Sequence, residues 1–457
     1  MNKNQMNYYS DKQILVLGLA KSGTSVAKLL SRLGANVTVN DAKQEGECKE
    51  KNELEKLGIK VVCGGHPESL FDQHVDLVVK NPGIPYTIWP IQKAISLGIP
   101  VITEVEIAYQ ITQRPMIGIT GSNGKTTTTT LIGEILKEAN LNPIVAGNIG
   151  TVLSEQAEIA HSNEVLVAEL SSFQLKGTIY FKPSIAILLN IYPSHLDYHQ
   201  TMEDYIESKS KIFLRQTSED YSVINADCDL CMNLKSNIKS QTYFFSTKGL
   251  VERGAMIKDK TIVWKEDNHV EEVIDIREIF LRGEHNLENI LAAIVATKLY
   301  GAHFKDIKKV LKSFRGVEHR QEYVRKTDKG IIFYNDSKAT NPTATINALK
   351  SFDEPIILIA GGLDRGIDFL DLVEPFKKHV KALITYGQSA EKIKKIGQLV
   401  GLQMNFTVDN VNTAVIEAER IASREDIVLL SPACASWDMF ASFEERGRIF
   451  KEAVHRL

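Results

Sequence analysis

The sequence predicts an α/β protein of three consecutive domains, 1–110, 111–316 and 317–457, on three observations. Short apolar runs alternate with helix-compatible stretches along the chain, the pattern of βαβ units with mainly parallel sheets. Two glycine-rich turns, at 18–23 and 118–124, each follow such a run and open a helix, the arrangement in which α/β folds receive phosphates. The pattern changes near Gln110 and again near Gly316, and 457 residues exceed one ordinary core, since domains hold roughly 100–200 residues.

Composition narrows the function classes. With 54 basic and 57 acidic residues the formal charge is −3, which leaves no field for holding a nucleic-acid backbone, so anionic ligands have to be bound locally. The segment 1–12 is polar, and no apolar stretch reaches the roughly 18 residues of a membrane span, so a cytoplasmic protein without membrane insertion is expected. Five cysteines, odd in number and scattered, argue against a disulfide framework. Cys228 and Cys231 form a single Cys-x-x-Cys with no second pair, read as reduced thiols rather than half a zinc site or a redox pair.

In the first domain, strand-like runs at 14–17 and 36–39 flank Gly18-Leu19-Ala20-Lys21-Ser22-Gly23 and a helical pattern at 24–33. This is how a Rossmann-like unit begins, with Asp41 placed after the second strand to meet a sugar hydroxyl. Ala20 stands where a dinucleotide fingerprint has its middle glycine, which counts against a nicotinamide cofactor. Runs at 61–63, 77–79 and 101–103 extend the sheet, and 81–85 (Asn81, Pro82, Gly83, Ile84, Pro85) reads as a turn.

The second domain opens with an apolar run at 116–119, the turn Gly121-Ser122-Asn123-Gly124, then Lys125 and a run of threonines that starts a helix at 128–139. Glycines let backbone N–H groups converge on phosphate oxygens; Lys125 adds a charge at the transferred phosphate, and Thr126 offers a hydroxyl to magnesium. The spacing departs from the usual phosphate loop, with five residues rather than four between Gly118 and Gly124. Runs at 165–168 and 185–189 end at Glu169 and just before His195, both placed to reach the same phosphates beyond the strand ends. A helix is expected over 202–214, where Lys209 and Lys211 read as a solvated face, and 243–274 reads as appended β-hairpins. Asn286 and Asn289, three apart, share the face of a helix entered at 283–289. In the third domain, runs at 331–334, 356–360, 383–386 and 427–430 each end in small or polar residues, a ligand-facing edge.

Taken together, Thr120-Gly-Ser-Asn-Gly-Lys-Thr126, Glu169-Leu-Ser-Ser-Phe-Gln-Leu175, Gly283-Glu-His-Asn-Leu-Glu-Asn289, His319-Arg320, Asn335-Asp-Ser-Lys-Ala-Thr-Asn341 and Leu430-Ser-Pro-Ala-Cys-Ala-Ser436 resemble the motif series of the Mur ligases, in order along the chain. The resemblance implies a Rossmann-like domain for a UDP-sugar, a central P-loop ATPase and a Rossmann-like C-terminal domain for an amino acid. Its Ser-Ser-Phe-Gln and Ser-Pro-Ala-Cys-Ala-Ser stretches are similar to those of the members that add D-glutamate to UDP-N-acetylmuramoyl-L-alanine through an acyl phosphate, using ATP and Mg2+. Carried over by motif, the phosphate loop (Gly121, Ser122, Asn123, Gly124, Lys125, Thr126 and Thr127) with His285, Asn286, Asn289, Arg320 and Asp336 would bind ATP. Thr126, Glu169, His195 and Lys209 would hold metal, Lys209 as a carbamate formed with carbon dioxide. Lys125, His195 and Lys209 would be catalytic. Gly18, Leu19, Ala20, Lys21, Ser22, Asp41, Asn81, Gly83, Asn148 and Ser171 would bind the UDP-sugar. Lys338, Thr340, Arg365, Ser436 and Phe443 would frame D-glutamate, and a monomer acting on small molecules is expected.

Two positions depart from the series: Ser194 stands where many members have Asp, and Arg365 where lysine is common. The Asp-Asn-Pro-Arg motif of the diaminopimelate-adding members is absent. A nicotinamide-dependent oxidoreductase, another amino-acid ligase of the same family and a non-catalytic sugar-nucleotide sensor are the competing readings.

Overall fold

The computed structural model describes residues 8–112, 114–281 and 283–457, without the side chains of Glu284 and His285. Three sheets follow one another along the chain. The first is all parallel: β1 (Gln13–Leu17), β2 (Asn36–Asp41), β3 (Lys60–Cys63), β4 (Leu77–Lys80) and β5 (Val101–Ile102), in the order β3-β2-β1-β4-β5. Its apolar alternation sends Ile14, Val16 and Val79 to one face and Leu15, Leu17 and Val78 to the other, as a sheet covered on both sides requires.

The second sheet holds β6 (Met116–Thr120), β7 (Pro143–Gly147), β8 (Val165–Glu169), β9 (Ile185–Leu188), β10 (Tyr221–Asn225), β11 (Gln241–Ser246), β12 (Gly254–Lys258), β13 (Thr261–Glu266) and β14 (His269–Asp275). Its order is β14-β13-β12-β11-β10-β9-β6-β8-β7. The hairpins expected over 243–274 are present, β12 with β13 and β13 with β14, each pair antiparallel; β11 and β12 pair in parallel, so the hairpins extend the central sheet rather than standing apart from it. Gly254, at φ 124°, makes this pairing possible, because a Cβ there would lie 1.9 Å from the Phe244 carbonyl oxygen.

The third sheet comprises β15 (Glu322–Lys326), β16 (Ile332–Asn335), β17 (Ile356–Gly361), β18 (Val380–Tyr386), β19 (Asn405–Thr407) and β20 (Ile427–Leu430), ordered β15-β16-β20-β17-β18-β19 with only β15 antiparallel. The architecture is three-domain α/β with mainly parallel sheets. None of the described helices is long and apolar enough to cross a membrane.

The chain forms two compact units. One runs to Glu278 and takes in Leu287–Lys312, so it contains the first two sheets; the other is Ile279–Asn286 with Ser313–Leu457. Within the first unit, backbone and carboxylates tie the two sheets together. Thr103 N–H donates to the Gly177 carbonyl at 3.0 Å, and its hydroxyl to the Gln174 carbonyl at 2.7 Å. The buried Glu104 carboxylate accepts from Ser154 N–H at 3.0 Å, and Glu106 from the N–H groups of Ile179, Tyr180 and Phe181.

One local expectation fails. The helix expected to run to Leu214 ends at Ser210, where i−3 hydrogen bonds such as Ile212 N–H to Lys209 O tighten the chain into turns. Cys48 and Cys63 are joined as a disulfide, because the loop after β2 folds over the end of β3; Cys228, Cys231 and Cys434 are free thiols.

Candidate functional site

β6 runs into the turn 121–124 and the helix Lys125–Glu138. Gly121 (φ 154°) and Gly124 (φ 83°) take conformations open to glycine, and a Cβ on Gly124 would sit 2.1 Å from Asn289 Oδ1. The turn is held from behind by the segment after β9. Ser122 N–H donates to the Asn190 carbonyl and Asn123 N–H to the Asn190 side chain, both at 2.9 Å. Ser122 Oγ accepts from Tyr192 N–H at 2.9 Å and lies 2.8 Å from the Tyr205 hydroxyl. Asn190, Tyr192 and Tyr205 were not singled out from sequence, since each acts only through a fold that brings residues some 70 or more positions apart together.

Two lysines converge on this turn. Lys125 Nζ donates to the carbonyls of Gly121 (2.8 Å) and Ser122 (3.0 Å), and Lys209 Nζ reaches the same Gly121 carbonyl at 2.9 Å. Lys209 is only 1% exposed, which overturns its reading as part of a solvated face. Burial, reinforced by the Lys125 charge, holds its pKa well below the usual lysine value, so an uncharged amine is favoured. His195, in the left-handed region at φ 55°, begins the short helix Leu196–His199 and meets the Phe173 ring at 5.0 Å. Its pKa is lowered by burial and then by Lys125, which keeps the imidazole neutral and able to ligate. Ser194 beside it occupies the family's acidic position.

Glu169 closes β8, in register with Ile119 of β6. One carboxylate oxygen accepts from Asn148 Nδ2 at 2.9 Å; the other is buried with no hydrogen-bond partner. An anionic oxygen left so is what a cation site requires. Among the described residues there is no group of three or more His, Cys, Asp or Glu side chains placed to hold a metal ion. A magnesium here would therefore draw its remaining ligands from hydroxyl oxygen, water and phosphate. Thr126 and Thr127 are buried in the first helical turn, and Asn289 accepts from the Thr128 hydroxyl at 3.3 Å.

In the first sheet, Leu19 N–H donates to Asp41 at 2.7 Å, so the acid organises the Gly18 loop. Ala20 is the N-cap of the helix Lys21–Arg32, and a Cβ on Gly23 would lie 2.0 Å from the Gly18 carbonyl oxygen, the close helix approach that the last glycine of such a turn serves. Ser22 Oγ donates to Asn81 at 2.7 Å, joining this loop to the one containing Gly83. Lys21 reaches the Gly150 carbonyl at 2.7 Å, two residues beyond Asn148. Ser171 Oγ is engaged as the N-cap of the helix Ser172–Lys176, accepting from Gln174 N–H.

The other candidates lie in the second unit. Asp336 is fully buried, accepts from Ser431 Oγ (2.8 Å) and Gln321 N–H (3.2 Å), and is pushed up to about 7 by burial. Arg320 lies in the same unit and Asn286 N–H donates to Gly283 O at 3.0 Å, while the His285 side chain falls outside the described residues. Lys338 Nζ lies 5.5 Å from the centre of the Phe443 ring, and Arg365 5.0 Å from that of Trp437, the neighbour of the buried Ser436. Lys338 N–H donates to the His319 carbonyl and Thr340 N–H to that of Lys338. Sequence reading missed Arg446, wholly buried, which donates to Ser337 Oγ (2.9 Å) and the Ser337 and Cys434 carbonyls. Its signal was periodic: it falls with Phe450 and Val454 on the buried face of the helix Phe443–His455.

Known proteins match over this whole arrangement. Residues 12–103 match a family described as Mur ligase MurD-like, N-terminal domain; 119–297 the Mur ligase middle domain; and 319–434 the Mur ligase, glutamate ligase domain. The UDP-N-acetylmuramoylalanine--D-glutamate ligase of Geobacillus kaustophilus is 54% identical over 98% of this chain and 99% of its own. The protein of that name from Bacillus cereus is 51% identical over 98% of each. Among solved structures, UDP-N-acetylmuramate-alanine ligase MurC from Thermotoga maritima aligns with a TM-score of 0.57 at 20% identity, over 97% of this chain and 99% of its own. MurF ligase from Thermotoga maritima, in complex with ADP, aligns at 0.55 and 16% identity over 99% of each. At these identities the structures speak for the fold alone.

Proposed function

The chain belongs to the Mur ligase family, and on that premise we propose that it joins D-glutamate to UDP-N-acetylmuramoyl-L-alanine at the expense of ATP, in peptidoglycan precursor synthesis. The observation that carries the chemistry is the convergence of Lys125 and Lys209 on one carbonyl of the phosphate turn, with the orphaned oxygen of Glu169 at the end of the neighbouring strand. A carboxylate attacking a triphosphate meets like charge, so the reaction needs cations around both: Lys125 supplies one, and Glu169 and a carbamylated Lys209 would hold magnesium as the others.

In this reading the alanyl carboxylate attacks the γ-phosphorus, ADP leaves, and the acyl phosphate is opened by the D-glutamate amine through a tetrahedral intermediate that expels phosphate. Lys125 neutralises the transferred phosphoryl group, and the backbone N–H groups of 124–127, at the start of the helix, bind the phosphates. Thr126 and Glu169 would hold one magnesium with the ATP phosphates, and His195 with Lys209 a second. Magnesium supplies positive charge where the two anions meet. The unprotonated amine of Lys209 supports a carbamate, which turns a buried base into an oxygen ligand. The Gly18 loop with Asp41, Asn81 and Gly83, and Asn148 with Ser171, would hold the nucleotide sugar. Asn286, Asn289, Arg320 and Asp336 would serve ATP. Lys338, Thr340, Arg365, Ser436 and Phe443 would receive D-glutamate, Arg365 gripping a carboxylate bidentately where relatives of the series use lysine.

We further propose a monomer in the cytoplasm, with domains at 1–110, 111–316 and 317–457, whose loss impairs cell shape and division. A dimer in size-exclusion chromatography would refute the first. The activity is tested by phosphate release with ATP, magnesium, UDP-N-acetylmuramoyl-L-alanine and D-glutamate, omitting each in turn. Release that requires all four supports the ligase; release indifferent to D-glutamate, or none, rejects it.

A further inference from the structure

Lys80 ends β4 and is 1% exposed. Its Nζ donates to the Pro82 carbonyl at 2.8 Å and to the Tyr198 hydroxyl at 3.1 Å. It also lies 4.9 Å from the centre of the Tyr86 ring and 5.6 Å from that of Tyr198. Lys176 approaches the same rings, at 5.1 and 5.9 Å, but is neutralised by Asp204 at 2.6 Å. Among the described residues no carboxylate pairs with Lys80. A buried ammonium without a counter-ion is destabilising in itself, so its place calls for another reason.

What it touches supplies one. Pro82 belongs to the loop whose Asn81 accepts from Ser22 Oγ and packs under Gly18. Tyr198 belongs to the helix that His195 begins, and its ring meets Phe173 edge-on at 4.4 Å, the ring that also meets His195. One ammonium thus joins the nucleotide-sugar loop of the first sheet to the His195 turn of the second, inside a single compact unit. We propose that Lys80 is a positioning residue of the ligase reaction: it fixes the 81–85 loop against the 195–199 turn, so that a nucleotide sugar held at one end presents its acyl carboxylate at the other.

The role rests on the ligase reading above. It carries a signature that a purely structural lysine lacks. Burial first, then the Lys176 charge, lowers its pKa to about 7. The other groups facing it are Tyr86 and Tyr198, both raised by burial and therefore neutral, with Asp204 behind Lys176. A diphosphate and a carboxylate arriving nearby favour the ammonium form, so binding at about pH 8 draws a proton from solvent.

The test is calorimetric titration of UDP-N-acetylmuramoyl-L-alanine into the full chain in buffers of different ionisation enthalpy, with steady-state phosphate release alongside. Proton uptake is expected in the parent and should vanish in Lys80→Met and Lys80→Arg. In Lys80→Met, kcat/KM for the nucleotide sugar should fall about tenfold or more while KM for ATP stays within about twofold. Lys80→Arg should recover part of that loss without recovering uptake. A folded Met variant with parental uptake and kcat/KM overturns the proposal, as do equal losses toward ATP and nucleotide sugar. Should the Met variant not fold, parental uptake in the Arg variant overturns it. A parent that binds the nucleotide sugar but gives no D-glutamate-dependent turnover sinks the ligase reading instead, and the reaction role of Lys80 falls with it.

Discussion

At the scale of single residues, the orphaned oxygen of Glu169 and the buried amine of Lys209 make the sharpest demands. Glu169→Gln keeps the Asn148 contact and removes the charge; turnover should fall about a hundredfold or more, with rising magnesium restoring little. Activity within about threefold of the parent would show that the carboxylate serves packing alone. Lys125→Ala should abolish turnover while leaving nucleotide-sugar affinity within a few-fold, because its charge serves the transferred phosphoryl group; parallel loss of both contradicts that role. Lys209→Ala should lower activity, and bicarbonate should stimulate only the parent; full activity in the variant removes the carbamate. The positions of Lys125 and Glu169 were readable in advance, since a glycine-rich turn opening a helix and the end of an apolar run are both written in adjacent letters. Lys80 and Arg446 were not. A charged letter in a strand or helix reads as surface until the packing of distant segments encloses it.

At the scale of elements, the phosphate turn is fixed by what presses on it. Gly124→Ala puts a Cβ where Asn289 Oδ1 now sits and forces a side-chain-bearing residue to φ 83°. The cost should be about 2 kcal/mol of stability, with ATP binding weakened about tenfold. Thermal unfolding and nucleotide titration measure both, and a neutral result would mean that the helix Glu284–Tyr300 does not brace the turn. The central strands of the three sheets were visible as apolar runs because strands buried on both faces are nearly continuous in hydrophobicity, whereas β10, β15 and β19, mixed with polar residues, were not. Partnership was less visible: the hairpins within 243–274 were readable from their turns, but not that β11 and β12 would pair in parallel and carry them onto the central sheet. The end of the helix Met202–Ser210 was misjudged for a related reason, because residues 211–214 are helix-compatible and only their i−3 bonds mark the stop.

At the scale of the whole molecule, stability should respond to pH through Glu104, which opens the helix after the first sheet's last strand and accepts from Ser154 N–H. Burial raises its pKa from 4.5 to about 7. Between those values the folded form retains a proton that the unfolded form has lost, so its contribution falls as pH rises, and the full penalty stands above about 7. Glu104→Gln should therefore exceed the parent in stability by up to about 3 kcal/mol at high pH, the difference closing near pH 5. Denaturant midpoints of the pair across that range decide it; a constant difference would mean that Glu104 is ionised in the fold throughout.

The two compact units exchange the backbone more than once: Ile279–Asn286 is lent to the second before Leu287–Lys312 returns to the first. Phe280 rests against Tyr323 at 5.1 Å and Leu281 is buried. No single scission can release the second unit intact. A fragment starting at 313 should be sticky and poorly expressed for want of an eight-residue patch left upstream, and a protease nick near 282 should leave the pieces travelling together.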